Sequence, residues 1–176
     1  MKLRLLAACA ALALAALPAA AQTIAPNRIL RVVPNADLQT VDPINTTAGV
    51  VQSHAHMVYD QLFGRDAQQR PQPQMVERFE TSADGLVWRF TLRAGLAFHD
   101  GAPVTAEDVV ASLRRWAARD PHGRQLLGIT ESLAAEADGS SFTWRLRRPY
   151  ALMLDALSKP AGNMPAIMPA RIAATD

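Results

Sequence analysis

Four side chains capable of acid–base or metal chemistry lie within the twelve residues FHDGAPVTAEDV, residues 98–109. They are one histidine and three carboxylates, namely His99, Asp100, Glu107 and Asp108. Imidazole and carboxylate groups are frequent general acids and bases of hydrolases, and they also bind divalent metal ions. One hypothesis for this chain is therefore a secreted hydrolase that uses His99 and Asp100 with Glu107.

The local pattern around these residues also predicts structural roles for them. Asp100 and Gly101 form a turn dipeptide. Thr105 stands where the N-cap of a helix belongs, and the Asp108 carboxylate can return to the Thr105 amide in a shortened capping box. Glu107 lies in the first turn, where a negative charge meets the positive end of the helix. We therefore favour helix capping by Thr105 and Asp108 over a catalytic centre.

The helix that begins at this cap is predicted over residues 106–118. Its apolar positions are Ala106, Val109, Val110, Leu113, Trp116 and Ala117. Their i, i+3, i+4, i+7 spacing predicts one buried face. Three arginines, Arg114, Arg115 and Arg119, lie off this stripe, and we expect them to be solvated.

Two segments of alternating apolar residues flank this helix. Residues 86–92 (LVWRFTL) and residues 140–149 (SSFTWRLRRP) each follow an Ala-Asp-Gly tripeptide. In both, an aromatic-x-aromatic-x-Leu pattern lies on one face of the chain. The pattern predicts two comparable strands of one small antiparallel sheet, with a further strand over residues 77–81.

Two more elements are predicted before this sheet. Residues 28–34 (RILRVVP) are nearly continuously apolar, which favours a strand buried on both faces. Residues 48–63 have helical spacing, with Gly64 as the C-cap. His54 and His56 are two residues apart and point to different sides of that helix, so we do not expect a two-histidine metal site.

The C-terminal part is predicted to be a short helix followed by irregular chain. The helix is expected over residues 150–157, just after a proline. Residues 158–169 contain three prolines and a glycine, which predicts an irregular crossover with at most one short strand.

The first 21 residues have the layout of a secretory signal peptide. Lys2 and Arg4 precede an apolar run, and residues 19–21 are a small-residue cleavage site. The run is shorter than the roughly 20 apolar residues of a membrane span. Cys9, the only cysteine, has a lipobox-like context, but cleavage there would leave almost no apolar run before it. We expect cleavage after Ala21, so that disulfides and thiolate sites are excluded from the mature chain.

The charge balance does not indicate a nucleic-acid partner. The signal segment contains two of the 18 Lys and Arg residues and none of the 16 Asp and Glu residues, so the mature chain carries equal numbers of each. The pI near 9.1 is therefore a property of the precursor. A local basic cluster at Arg145, Arg147 and Arg148 lies on the polar side of a strand, where solvated arginine is ordinary.

Several motifs together resemble one family. They are LQTVDP (residues 38–43), VYDQLF (58–63), SADGLVWRFTLRAGLAFHDGAPVTAEDVVASL (82–113) and FTWRLRRPY (142–150). In this order they are similar to motifs of the extracellular solute-binding proteins of bacterial ABC importers, in the family 5 group of dipeptide-, oligopeptide- and nickel-binding proteins. The resemblance implies a periplasmic receptor that is no enzyme, has no cofactor, and acts as a monomer with a membrane permease.

The resemblance also implies an α/β periplasmic-binding-protein-like fold with an α+β accessory domain. Its expected parts are a signal peptide (1–21), the start of the main α/β lobe (22–47), the accessory domain (48–157) and a crossover back to the main lobe (158–176). Family members are longer, so we expect the opposing lobe to be missing here. Isolated residues 22–176 are then expected to show no saturable binding.

The expected solute is a peptide or a similar small molecule, with nickel or another metal chelate, haem, a sugar or an opine as alternatives. In open α/β sheets, ligands lie beyond the carboxyl ends of the strands. The loop after the first strand should therefore face the cleft, which makes Ala36, Asp37 and Leu38 candidate solute contacts. Asn163 and Met164 in the crossover are a second candidate group.

Overall fold

The computed structural model describes residues 31–175, of which residues 34–175 lie in one compact unit. The helices of the described part are α1 (Gly49–Val58), α2 (Ala106–Arg119), α3 (Pro121–Ile129), α4 (Met153–Leu157) and α5 (Ala170–Ala173). The strands are β1 (Phe63–Arg65), β2 (Pro71–Pro73), β3 (Val76–Thr81), β4 (Val87–Leu92), β5 (Thr130–Ala135) and β6 (Ser141–Leu146). The predicted signal peptide, its cleavage after Ala21 and Cys9 lie outside the described residues.

The centre of the fold is a four-stranded antiparallel sheet with the strand order β3-β4-β6-β5. The two aromatic strands predicted from the sequence are its middle strands, and they pair so that Trp88 lies opposite Trp144 and Phe90 opposite Phe142. The prediction of two comparable strands in one small sheet is thus confirmed. The rings of Phe90 and Phe142 stack with centroids 4.9 Å apart, which adds to the burial of both.

Helix α2 lies where the sequence predicts it and begins at a complete capping box. The Thr105 hydroxyl accepts a hydrogen bond from the Asp108 amide at 3.3 Å, and the Asp108 carboxylate accepts one from the Thr105 amide at 2.9 Å. The apolar stripe of α2 is buried, with Leu113 and Trp116 fully enclosed in the core. The amphipathic pattern therefore packs this helix onto the rest of the unit.

Helix α3 was not predicted from the sequence. Asp120 ends α2 and also caps α3, because its carboxylate accepts hydrogen bonds from the amides of His122 (2.9 Å) and Gly123 (3.1 Å). Pro121 occupies the first helical position, where its missing N–H costs nothing. The Asp-Pro dipeptide is a helix-start signal, and it could have identified this element.

The strand expected over residues 28–34 is not found in its described part. Residues 31–34 form no strand, and Val32 and Val33 are 68% and 91% exposed. Residues 28–30 lie outside the described residues. A strand buried on both faces needs neighbours on both edges, whereas the six described strands pair only with one another.

Helix α1 is shorter than its predicted range of residues 48–63. It ends at Val58, and Tyr59 is already extended. Gly64 is not a C-cap, because it lies in β1 and pairs with Gln72 of β2. Leu62 and Phe63 are buried, but they lie at the start of the short strand β1 and just before it, so the helical spacing of apolar residues wrongly predicted a last helical turn there.

The C-terminal helix prediction was also too long, since α4 spans only Met153–Leu157. Residues 158–169 are irregular, as predicted. Among residues 31–175, no helix has the length and apolar character needed to cross a bilayer.

Candidate ligand-contacting surface

The crossover segment, residues 158–169, is bound along one face of α2. Trp116 donates its indole N–H to the carbonyl oxygen of Asn163 at 2.9 Å. One turn earlier, the buried Ser112 hydroxyl bonds the backbone of Met168. These bonds satisfy backbone polar groups of Asn163 and Met168, in an irregular segment whose residues 164–168 are buried. Helix α2 therefore gives the crossover segment a defined path.

The start of α5 is attached to the same helix. The second carboxylate oxygen of Asp108 accepts a hydrogen bond from the Ala170 amide at 2.7 Å. Asp108 thus contributes to the helix ends of both α2 and α5. Capping accounts for the chemistry of this carboxylate.

A second segment, residues 40–46, is fixed to α2 by an ion pair, and we call it the anchored loop. Arg115 bonds both carboxylate oxygens of Asp42, with Nη1–Oδ1 at 3.1 Å and Nη2–Oδ2 at 2.7 Å. The two side chains are only 7% and 23% exposed. The expectation that Arg115 is solvated is therefore wrong. Its partner lies 73 residues earlier in the chain, and helical spacing cannot reveal such a contact.

The anchored loop is also tied to α1. Gln52 is buried and donates its side-chain amide to the carbonyl oxygens of Pro43 (3.1 Å) and Thr46 (2.8 Å). Within the loop, the Asp42 carboxylate accepts hydrogen bonds from the Ile44 amide (3.0 Å) and the Asn45 side chain (2.7 Å). Residues 42–46 are consequently held from two helices.

The crossover segment and the anchored loop bind each other directly. Asn163 donates its side-chain amide to the carbonyl oxygen of Ile44 at 2.7 Å, and the Met164 amide bonds the Pro43 carbonyl oxygen at 3.3 Å. Asn163 remains partly exposed. The Met164 side chain instead lies in a small apolar cluster with Ala55. Of the second candidate group, only Asn163 thus has a side chain near the surface.

The other candidates, Ala36, Asp37 and Leu38, precede the anchored loop, and we call residues 36–38 the exposed stretch. All three are exposed, with Leu38 39% exposed. Residues 34–41 form no backbone–backbone hydrogen bond with another described residue. Their amide and carbonyl groups are therefore available to an incoming polar chain. The exposed stretch and Asn163 are connected through residues 42–44.

A groove of about 300 Å³ opens near the end of α1, and no pattern in the sequence predicted it. Its apolar lining includes Tyr59, Phe98, Val104, Ile167, Met168 and Ile172. Burial raises the pKa of the Tyr59 phenol, and the nearby Asp42 carboxylate raises it further. Tyr59 lies in VYDQLF, the motif that could have drawn attention to this region.

The three residues of the hydrolase hypothesis do not form a constellation. His99 and Glu107 are exposed, and among the described residues no hydrogen bond or ion pair joins either of them to Asp100. Asp100 accepts from the Ala102 amide and binds Arg171, each at 3.0 Å. The Ala102 bond, followed by the Arg171 contact, lowers the pKa of Asp100, which is the wrong direction for a general base near neutral pH.

The arrangement within residues 31–175 offers no metal centre either, since no group of three or more His, Cys, Asp or Glu side chains there is placed to bind an ion. What the described residues do present is an exposed stretch next to a firmly held loop.

Sequence comparisons place this architecture among known proteins. Residues 70–175 match the family model for bacterial extracellular solute-binding proteins, family 5 Middle. The chain is 40% identical over 153 residues to the probable peptide ABC transporter periplasmic-binding protein y4tO of Sinorhizobium fredii, covering 87% of this chain and 28% of that protein. It is 30% identical over 157 residues to the glutathione-binding protein GsiB of Salmonella typhimurium, covering 88% of this chain and 30% of that protein.

Solved structures have the same fold. The binding protein AgaA of A. tumefaciens R10, in complex with agropinic acid, superposes with a TM-score of 0.65 at 27% identity, over 78% of this chain and 28% of that one. Haemophilus influenzae OppA, in complex with a peptide, gives a TM-score of 0.62 at 23% identity, over 78% and 30% of the two chains. The chain spans less than a third of each of these relatives. It belongs to family 5 of the bacterial extracellular solute-binding proteins and has part of that family's mixed α/β fold.

Proposed function

We propose that this chain is part of the periplasmic solute-binding component of an ABC importer, and that its solute is a peptide or a similar small molecule. The observation that carries the proposal is the exposed stretch, residues 36–38, next to a loop that is held by two helices. A binding site needs groups that are accessible but already positioned, because ordering a mobile loop on binding costs affinity.

The peptide is favoured over the other solutes by two observations. The relative at 40% identity is named as a probable peptide transporter component. The exposed stretch presents backbone groups that have no backbone partner among the described residues, and these can pair with the backbone of a peptide. A metal chelate, haem, a sugar or an opine would not need such pairing.

The proposal includes the domain organisation expected from the sequence. Residues 22–47 would begin the main lobe, residues 48–157 would form the accessory domain, and residues 158–176 would return to the main lobe. The contacts of Asn163 and Met164 with Ile44 and Pro43 support this, because they join the first and last of these parts. The component would act as a monomer with a membrane permease and without a cofactor.

Titration of the ¹⁵N-labelled chain with a pool of di- to pentapeptides tests the solute assignment. Because this chain spans under a third of its relatives, we expect only weak binding that does not saturate, in line with the expectation for residues 22–176, so that chemical-shift changes are visible only at high peptide concentration. The changes should be centred on Ala36, Asp37, Leu38 and Asn163. Leu38→Ser should reduce them, whereas Leu152→Ser, at an exposed leucine outside the loop, should not.

Parallel titrations with a nickel–histidine chelate and with glucose serve as ligand controls. Shifts at the same residues with the chelate alone would replace the peptide by a metal chelate as the solute. No shift with any of the three ligands would contradict the proposed solute site.

We propose further that the chain is exported and cleaved after Ala21. N-terminal sequencing of protein recovered from the periplasm should then begin at Gln22. Cys9→Ser should leave export and cleavage unchanged. Loss of processing in that variant, or a lipid-modified N-terminus at Cys9, would show a lipoprotein instead.

Finally, we propose that the chain has no catalytic activity. Among the described residues, neither His99 nor Glu107 is hydrogen-bonded to Asp100, which supports this proposal. Ester and peptide hydrolysis should be indistinguishable between the wild type and His99→Ala. A hydrolytic rate that this substitution abolishes while the fold is retained would favour the hydrolase.

A further inference from the structure

We infer that Arg115 is a positioning residue for the solute site: through Asp42 it sets the conformation of the exposed stretch without touching the solute itself. The inference rests on the proposed function, because that function assigns residues 36–38 to the solute. It adds a residue from a distant helix that controls how these contacts are presented.

The Asp42–Arg115 geometry is suited to this role. The guanidinium binds both carboxylate oxygens, at 3.1 Å and 2.7 Å, and so fixes the orientation of the carboxylate as well as its distance. The Arg115 side chain is 7% exposed, so water cannot readily replace it. A lysine would keep the charge but lose the two-pronged geometry.

The conformation of the anchored loop depends on that carboxylate. Its oxygens also accept hydrogen bonds from the Ile44 amide and from the Asn45 side chain. The Asp42 amide in turn donates to the Thr40 hydroxyl at 3.2 Å. The chain from Thr40 to Asn45 is thus arranged around one group, whose orientation Arg115 fixes. The exposed stretch ends only two residues before Thr40.

Arg115 also contacts the crossover segment. Its Nη1 lies 3.7 Å from the sulfur of Met168, while Asn163 of the same segment bonds the carbonyl oxygen of Ile44. One guanidinium is therefore in contact with the anchored loop, which directly follows the exposed stretch, and with the crossover segment, which contains Asn163. Moving it should disturb the two groups together.

The adjacent residue provides a matched control. Arg114 lies on the same helix, is exposed, and donates to the carbonyl oxygen of Leu133 in β5, away from the anchored loop. Arg114→Lys repeats the chemistry of Arg115→Lys at a position that does not bind Asp42.

Amide hydrogen exchange measured by NMR on the chain tests the inference without any ligand. In Arg115→Lys and in Asp42→Asn, exchange at Asp42, Ile44 and Met164 should be about tenfold faster. Exchange at Phe90 and Phe142, in the middle of the sheet, should stay unchanged, as should all of these amides in Arg114→Lys. Unchanged exchange in the anchored loop would overturn the inference, and so would equally faster exchange in the sheet, because the pair would then stabilise the fold generally.

The peptide titration adds a functional readout. Arg115→Lys should weaken the peptide-induced shifts at Ala36–Leu38 about tenfold, while Arg114→Lys should leave them as in the wild type. Weakening by both variants alike would overturn a specific role of Arg115. If the wild type binds no peptide, the proposed function fails, and the exchange measurement still decides whether Arg115 holds the loop.

Discussion

The hydroxyl oxygen of Ser112 lies 3.0 Å from both the amide nitrogen and the carbonyl oxygen of Met168. One small side chain on α2 is therefore hydrogen-bonded to the backbone of a buried, irregular segment. Ser112→Ala would leave the Met168 amide without this acceptor, at a cost of about 1–3 kcal/mol in the free energy of unfolding. Urea unfolding measures the loss. Ser53→Ala, at an exposed serine of α1, should change stability by less than about 0.5 kcal/mol.

Two glycines of α3 should respond oppositely to alanine. A Cβ at Gly123 would clash with the Cα of Ala117 in α2, whereas a Cβ at Gly128 would meet nothing within 4 Å. Gly123→Ala should therefore destabilise the fold by about 1–3 kcal/mol through overpacking. Gly128→Ala should stabilise it by up to about 1 kcal/mol, because alanine is the better helix former. Thermal unfolding compares the two variants, and equal shifts would contradict the close packing of α2 and α3.

The capping residues of α2 should differ in their importance. Thr105→Ala removes the N-cap side chain and should lower the free energy of unfolding by about 1 kcal/mol. Asp108→Ala should cost more, because its carboxylate also accepts from Ala170 at the start of α5. The double variant should lose less stability than the sum of the two single losses, because the two residues belong to the same capping box. Urea unfolding of the three proteins gives this coupling.

Glu107→Ala is the control for that series. Glu107 is exposed in the first turn of α2, so only its interaction with the helix end is lost. A loss as large as that of Asp108→Ala would mean that charge at the helix end dominates over the hydrogen bonds.

Acid should destabilise the fold through the two Asp-Gly turns, Asp84-Gly85 and Asp138-Gly139. The amides of Ser140 and then Ser141 lower the pKa of Asp138 below its ordinary value of 3.8. The Ser82 hydroxyl, followed by the Leu86 amide, lowers the pKa of Asp84. Because both folded-state pKa values lie below the unfolded ones, this stabilisation is complete above the ordinary value and is lost as the pH falls through the folded pKa.

We therefore expect the urea midpoint to be flat between about pH 7 and 5 and to fall below about pH 4. Asp84→Asn combined with Asp138→Asn should make the acid branch shallower. An acid branch that is identical in the double variant would show that other carboxylates dominate.

Local patterns determined much of this fold. The alternating aromatic residues identified β4 and β6, and their matching turns predicted that they share a sheet. Thr105 and Asp108 predicted the capping box, because a cap and its helix lie within a few residues of each other. The family resemblance was also evident from the sequence alone, because its most specific motif spans residues 82–113 without interruption.

The tertiary structure alone decided how the candidate solute contacts are held. The sequence predicts that Arg115 is solvated, whereas in the fold it is buried against Asp42, 73 residues away. Asn163 and Ile44 meet across 119 residues. Helical and strand periodicities report only on neighbours within a few positions, so pairings of this kind become visible only once the chain has folded and its distant segments have been packed on α2.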